Sequence, residues 1–196
     1  MMPWHGERHI SAAWNQRHQR LVFLSMMVAL AMVLQILESI LPNPAPWIRL
    51  GLANVVILIV LSIYGIREGL MVTGLRVVLA AILLGTIFGP TFWLSLSGGI
   101  ASTIVMGMAL LLFPRTFSLI GVSVIGSYTH NLVQYAVASL FIIRQPELRY
   151  LLPVLLVTAL VAGITTGVAA CLILSMLERH SLRNFPFFMN TKNGNI

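Results

Sequence analysis

The chain has 196 residues and a formal net charge of +7; 58% of its residues are hydrophobic, only 9% are charged, and its mean hydropathy is +0.93. Soluble domains carry about 25% charged residues, whereas this chain has 12 basic and 5 acidic side chains from which to build a polar shell. The composition argues against soluble globular, disordered, fibrous and disulfide-rich proteins and indicates an integral membrane protein.

Six apolar segments are candidates for membrane-spanning helices, because about 20 apolar residues cross a hydrocarbon core about 30 Å thick. In chain order they are residues 21–41, 50–66, 69–88, 91–113, 116–143 and 150–177. The prediction is an all-α integral membrane protein, a bundle of six transmembrane helices over residues 21–177. A basic tail over residues 1–20 precedes it, either solvated or lying on anionic lipid, and a second tail over residues 178–196 follows.

Positive charge predicts the orientation, because cytoplasmic loops are enriched in Lys and Arg. The side that holds both termini collects eight basic residues, Arg8, Arg17, Arg20, Arg67, Arg115, Arg179, Arg183 and Lys192. The other side collects only Arg49, Arg144 and Arg149. We therefore expect cytoplasmic N- and C-termini in a multi-pass protein of the plasma membrane. Because the charge is dispersed along the chain, nucleic acid is not an expected partner.

Small residues at intervals of four indicate where helices approach closely in lipid. Such stripes occur at Ala159, Gly163, Gly167 and Cys171 in the sixth segment, at Ser95, Gly99, Thr103 and Gly107 in the fourth, and at Ser25 and Ala29 in the first. Packing within one bundle is one interpretation, and docking onto a partner membrane protein is the other.

Polar side chains inside apolar segments are costly in hydrocarbon, so each needs a partner or a function. Glu38 lies near the end of the first segment, on the same helical face as Gln35, and Arg49 and Asn54 open the second. Arg76 lies about 10 Å into the third at 1.5 Å per residue. The fifth carries His130, Asn131 and Gln134 near its middle.

Two interpretations of these polar residues remain open. Glu38 would pair with Arg49 at the interface and hold a loop, and His130 and Asn131 would bond neighbouring helices. Alternatively, seven of these residues would line a ligand pocket between helices 1, 2, 3 and 5, with Glu38 and Arg49 at its rim; the other five are Asn54, Arg76, His130, Asn131 and Gln134. Arg76 does not readily lose its proton, so an anionic ligand group or a hydrated cavity is its expected partner.

The distribution of acidic residues argues against catalysis by the chain alone. The sequence has no aspartate, and its five glutamates are well separated. Reactions that hold Mg²⁺ and diphosphate on clustered carboxylates lack their usual ligands. The sequence also has no G-x-x-x-x-G-K-[ST] phosphate loop and no His/Cys cluster with zinc spacing. We expect no enzyme activity, no metal site and no cofactor in this chain.

Several runs of the sequence resemble one family. The most specific are R-L-G-L-A-N at 49–54 and H-N-x-x-Q at 130–134; weaker matches lie at 37–42, 75–77, 97–99 and 117–123. Over about residues 21–177 the chain resembles the Gx transporter family, also labelled heptaprenyl diphosphate synthase component I. That family is similar to the substrate-binding (S) components of energy-coupling factor transporters.

The resemblance implies a function with separate partners. An S component has six helices, binds a vitamin or precursor from outside, and relies on a transmembrane coupling protein and two ATPase subunits that use ATP. Docking through small residues on helix 1 would involve Ser25 and Ala29. The expected substrate is a small vitamin-like molecule or a prenyl or quinone precursor. The alternative, from the second label, is a noncatalytic membrane subunit of a heptaprenyl diphosphate synthase.

Overall fold

The computed structural model describes residues 5–40, 51–113, 118–142, 150 and 152–184, and this part of the chain is helical without any strand. The helices are α1 (His5–Ile40), α2 (Leu52–Tyr64), α3 (Ile66–Leu83), α4 (Pro90–Leu112), α5 (Leu119–Val137) and α6 (Leu152–Asn184). A π-helical turn, Ala138–Ile142, extends α5. The all-α prediction is confirmed.

Several helix ends differ from the predicted segments. Helix α1 begins at His5, within the predicted N-terminal tail, and α6 continues to Asn184, within the predicted C-terminal tail. Helix α3 begins at Ile66 rather than at residue 69, because Glu68 in its first turn complements the positive end of the helix dipole. It ends before Gly85, whose φ of 65° leaves the helical region.

Helix α2 is the central element of the bundle. It packs against α1, α3, α4 and α6. Its residues from Val55 to Leu61 are all buried, as is Ala53. A helix that is apolar all round is stable only where other helices cover every face. The short second segment is therefore a core helix.

The small residues of α4 and α6 bring helix backbones into direct contact. A Cβ added at Gly163 would lie 2.6 Å from the Cα atom of Val124, and one added at Gly167 would lie 2.7 Å from Cα of Ile120. On α4, a Cβ at Gly107 would lie 2.8 Å from the side chain of Ile66. These two stripes therefore pack within the bundle, as the first interpretation predicts.

The outer face of the bundle is apolar. Met26, Leu112 and Met176 each expose more than three-fifths of their surface, at 62%, 64% and 63%. Three helices, at His18–Ile40, Pro90–Leu112 and Leu152–Leu177, are long and apolar enough to cross a membrane. In water such a continuous apolar surface would aggregate, so the fold is that of a membrane protein.

Candidate functional site

Polar side chains from five helices converge on one cavity of about 30 Å³. Every helix from α1 to α6 contributes at least one of its lining residues. Eight of these are polar: Gln35, Glu38, Asn54, Arg76, Ser95, Ser127, His130 and Asn131. Gly51, Ala53 and Ala162 complete the wall. Polar groups that would be costly against lipid are thus gathered on one internal surface.

Arg76 links three helices across this cavity. It is only 5% exposed. Its Nη1 atom donates to Oε1 of Gln35 at 3.0 Å, and its Nη2 atom lies 3.4 Å from Oδ1 of Asn54. These two acceptors are neutral amide oxygens, which bind a guanidinium more weakly than a carboxylate or phosphate oxygen does. An anionic group at the same position would therefore be a better acceptor than either amide.

Glu38 lies at the start of α2. Its Oε1 atom accepts a hydrogen bond from the backbone N–H of Leu52 at 2.6 Å. This N–H belongs to the first turn of α2, where it has no acceptor within the helix, and the helix dipole there favours a negative group. Gly51 immediately precedes it with φ of 76°, a left-handed conformation that glycine adopts without strain. The carboxylate thus joins the end of α1 to the start of α2.

Replacing Glu38 with alanine should lower stability by about 1–3 kcal/mol, because the Leu52 N–H would lose its acceptor. The measurement is thermal unfolding in detergent. Ser39→Ala is the matched control, since the Ser39 hydroxyl is exposed and bonds to the carbonyl of Ile36 in its own helix. Equal melting temperatures for the two variants would show that the Glu38 cap contributes nothing.

Helix α5 supplies three of the lining residues. The Nδ2 atom of Asn131 donates to the backbone oxygen of Leu155 at 3.0 Å, so this residue also ties α5 to α6. The absence of a side chain at Gly98 admits His130, because a Cβ there would lie 3.2 Å from His130 Cε1 and 2.9 Å from Gln134 Cγ. The glycine in α4 therefore determines how closely the His130 ring approaches that helix.

The structure brings together five of the seven side chains that the sequence predicts for the site: Glu38, Asn54, Arg76, His130 and Asn131. Gln134 is buried but does not line the cavity; its Nε2 atom lies 3.3 Å from the backbone oxygen of Leu94. Arg49 lies outside the described residues, and with it the predicted pair with Glu38.

Two helices absent from the predicted pocket also line it. Helix α4 contributes Ser95 and α6 contributes Ala162, whereas the sequence predicts a pocket between helices 1, 2, 3 and 5. Arg76 is also deeper from the start of α3 than predicted, about 15 Å at 1.5 Å per residue, because α3 begins at Ile66. Ser25 and Ala29, the predicted docking residues, are exposed on α1.

The described residues contain no group of three or more His, Cys, Asp or Glu side chains arranged to hold a metal ion. A family model described as heptaprenyl diphosphate synthase component I matches residues 27–180. No curated protein matches the chain, and neither does any solved structure.

Proposed function

The chain belongs to the heptaprenyl diphosphate synthase component I family, and from that premise we propose that it is a membrane-embedded binding protein for a small anionic molecule. The convergence of Arg76 and seven other polar side chains on one cavity supports this proposal. A bundle that needed only stability would cover these positions with apolar side chains, since polar groups within a membrane are expensive and usually functional.

The proposal includes six membrane spans with cytoplasmic termini. Helix α3 carries the cavity-lining Arg76, α5 carries Ser127, His130 and Asn131, and α2 is short but enclosed by its neighbours. In this arrangement the turn between α3 and α4 faces outwards. The end of the cavity that is closest to this turn also faces outwards. The site would then receive its ligand from outside the cell.

Cysteine labelling tests this topology. In a Cys171→Ser background, a cysteine replacing Phe88, which is 73% exposed between α3 and α4, should react with an impermeant maleimide on intact cells. A cysteine replacing exposed Arg67, in the first turn of α3, should react only after permeabilisation, and a reporter fused after Ile196 should lie in the cytoplasm. Labelling of the Arg67 position on intact cells would contradict the six-span arrangement.

The proposed role is uptake as the S component of an energy-coupling factor type transporter. Its partners would be a transmembrane coupling protein and two ATPases, with Ser25 and Ala29 allowing another helix to approach α1 closely. The chain itself would bind substrate without hydrolysing ATP. The substrate would be a vitamin-like molecule or a prenyl or quinone precursor that carries an acidic group.

Native mass spectrometry of the purified protein tests the binding function. We expect the wild-type protein to retain a small molecule of one defined mass, bearing a carboxylate or phosphate, and to show no ATPase activity. Recovery of lipid only, from several preparations and under gentle detergent conditions, would contradict the proposed binding role.

The family description supports a second candidate, a noncatalytic subunit of a prenyl diphosphate synthase. Affinity purification from native membranes separates the two. Co-purification of ATPase subunits supports transport, whereas co-purification of a catalytic prenyl synthase supports the subunit role.

A further inference from the structure

A cleft of about 250 Å³ lies beside the polar cavity, at the end of the bundle where α3 turns into α4. Helices α1, α3 and α4 form its walls. Its apolar lining residues are Val77, Ala81, Leu84 and Phe92. Thr91 is one of its polar lining residues. Gln35 and Ser95 line both the cleft and the cavity, so the two spaces adjoin at these side chains.

The volumes decide how a ligand could fit. The polar cavity of about 30 Å³ is close to the volume of one water molecule and accommodates only a small chemical group. Pockets for small molecules usually measure about 300–1,000 Å³. A molecule whose acidic group reaches Arg76 must therefore place its body in another space, and the adjoining cleft is large enough to hold most of it.

Gln35 is one of the two side chains that line both spaces. Its Oε1 atom accepts from Arg76 Nη1 at 3.0 Å, and the residue is 8% exposed. A carboxylate or phosphate oxygen that arrived through the cleft would be a stronger acceptor for the same N–H groups. Rotation of the flexible Gln35 side chain would exchange a neutral acceptor for a charged one.

Glu38 also lines the cavity, and its negative charge would repel a bound anion. This repulsion is reduced by a contact at the start of α2. The Glu38 carboxylate accepts from the Leu52 N–H at the positive end of the α2 dipole, which compensates its charge locally. Arg76 bonds to Gln35, which lines both the cavity and the cleft. An acidic group that displaces the Gln35 side chain would therefore reach the guanidinium.

We propose that the cavity and the cleft form one site for an amphipathic anion, with its acidic group on Arg76 and its apolar body against Val77, Ala81 and Phe92. The Phe92 ring is held by edge contacts with Phe88 and Trp93, at centroid distances of 6.0 and 5.3 Å, and offers an apolar wall to a flat or prenyl-like body. This inference rests on the proposed function, which requires only that the polar cavity binds an anion.

Photolabelling in phosphatidylcholine nanodiscs tests the inference with two probes, a diazirine-bearing medium-chain fatty acid and the alcohol of the same chain. The acid should label cleft residues about tenfold more than the alcohol, the effect of one charge-assisted hydrogen bond. Thr91→Trp should fill the cleft mouth and remove this labelling. The matched control, Thr165→Trp, places the same ring on an exposed face of α6 and should leave the labelling by the acid unchanged.

Gln35→Glu provides a second variant that keeps the shape of the side chain. Its carboxylate would occupy Arg76 from within the protein, so acid labelling should fall about tenfold while the melting temperature is maintained. Equal labelling by acid and alcohol, or labelling that survives both Thr91→Trp and Gln35→Glu, would overturn the inference. If the native ligand is retained despite Thr91→Trp, the proposed function survives and the cleft assignment fails. Absence of any native ligand would contradict the function itself.

Discussion

Replacing Arg76 with lysine should weaken retention of the native ligand about 10- to 100-fold while the protein still folds and inserts. Lysine keeps the positive charge but loses the planar fork that binds two oxygens of a carboxylate or phosphate at once. The loss corresponds to about 1.5–3 kcal/mol, the contribution of a hydrogen bond to a charged group. Competition between the native ligand and its isotope-labelled form, measured by native mass spectrometry, gives the change in affinity.

Arg20→Lys is the matched control for this substitution. Arg20 pairs with Glu68 and lies over the ring of Tyr64, outside the polar cavity, and its side chain is 45% exposed. Exposed ion pairs contribute about 0–1 kcal/mol, so this variant should bind the ligand as the wild-type protein does. If Arg76→Lys lowers the melting temperature but leaves the affinity per folded molecule unchanged, Arg76 serves only to connect α1, α2 and α3.

Replacing Gly163 with alanine should destabilise the bundle by about 2 kcal/mol or more. The added Cβ would lie 2.6 Å from the Cα atom of Val124, and a backbone atom cannot rotate away as a side chain does. Helices α5 and α6 would have to separate, and overpacking of this kind typically costs about 1–3 kcal/mol. Thermal unfolding in detergent, followed by the loss of monodisperse protein, measures the effect.

Gly74→Ala supplies the control within the same bundle. It also lies inside a helix, but an added Cβ there would have no neighbour within 4 Å. The substitution should be neutral or stabilising by up to about 1 kcal/mol, because alanine loses less conformational freedom on folding. Similar destabilisation by the two substitutions would show that the α5–α6 contact is looser than the structure indicates.

The sequence predicts much of the site because the hydrocarbon environment makes polar residues informative. Arg76, Glu38 and His130 interrupt apolar segments, and the cost of placing such groups against lipid predicts that they face inwards. The structure gathers these three with Asn54 and Asn131 around one cavity. The same argument fails for Gln134, because an amide can satisfy itself on a backbone carbonyl, here that of Leu94.

Other parts of the site could not be predicted from residue type. A serine hydroxyl can hydrogen-bond to a carbonyl of its own helix, and serine is also a common small residue where helices pack. From the sequence, Ser95 therefore predicts helix packing just as Gly99 does, four residues later on the same stripe. Ser127 is equally inconspicuous. The volumes of the cavity and the cleft depend on how all the helices pack together. No local pattern specifies that Gln35 and Ser95 line both spaces.

An experimental density map of the protein with its co-purified molecule is the most direct test of the central claim that the polar cavity binds an anion. We expect a carboxylate or phosphate oxygen at about 2.7–2.9 Å from the Arg76 guanidinium, the usual length of such charged hydrogen bonds. We also expect that Gln35 has moved from its present 3.0 Å contact with Nη1. A bound molecule elsewhere in the bundle, with Arg76 still bonded to Gln35 and Asn54, would contradict the central claim.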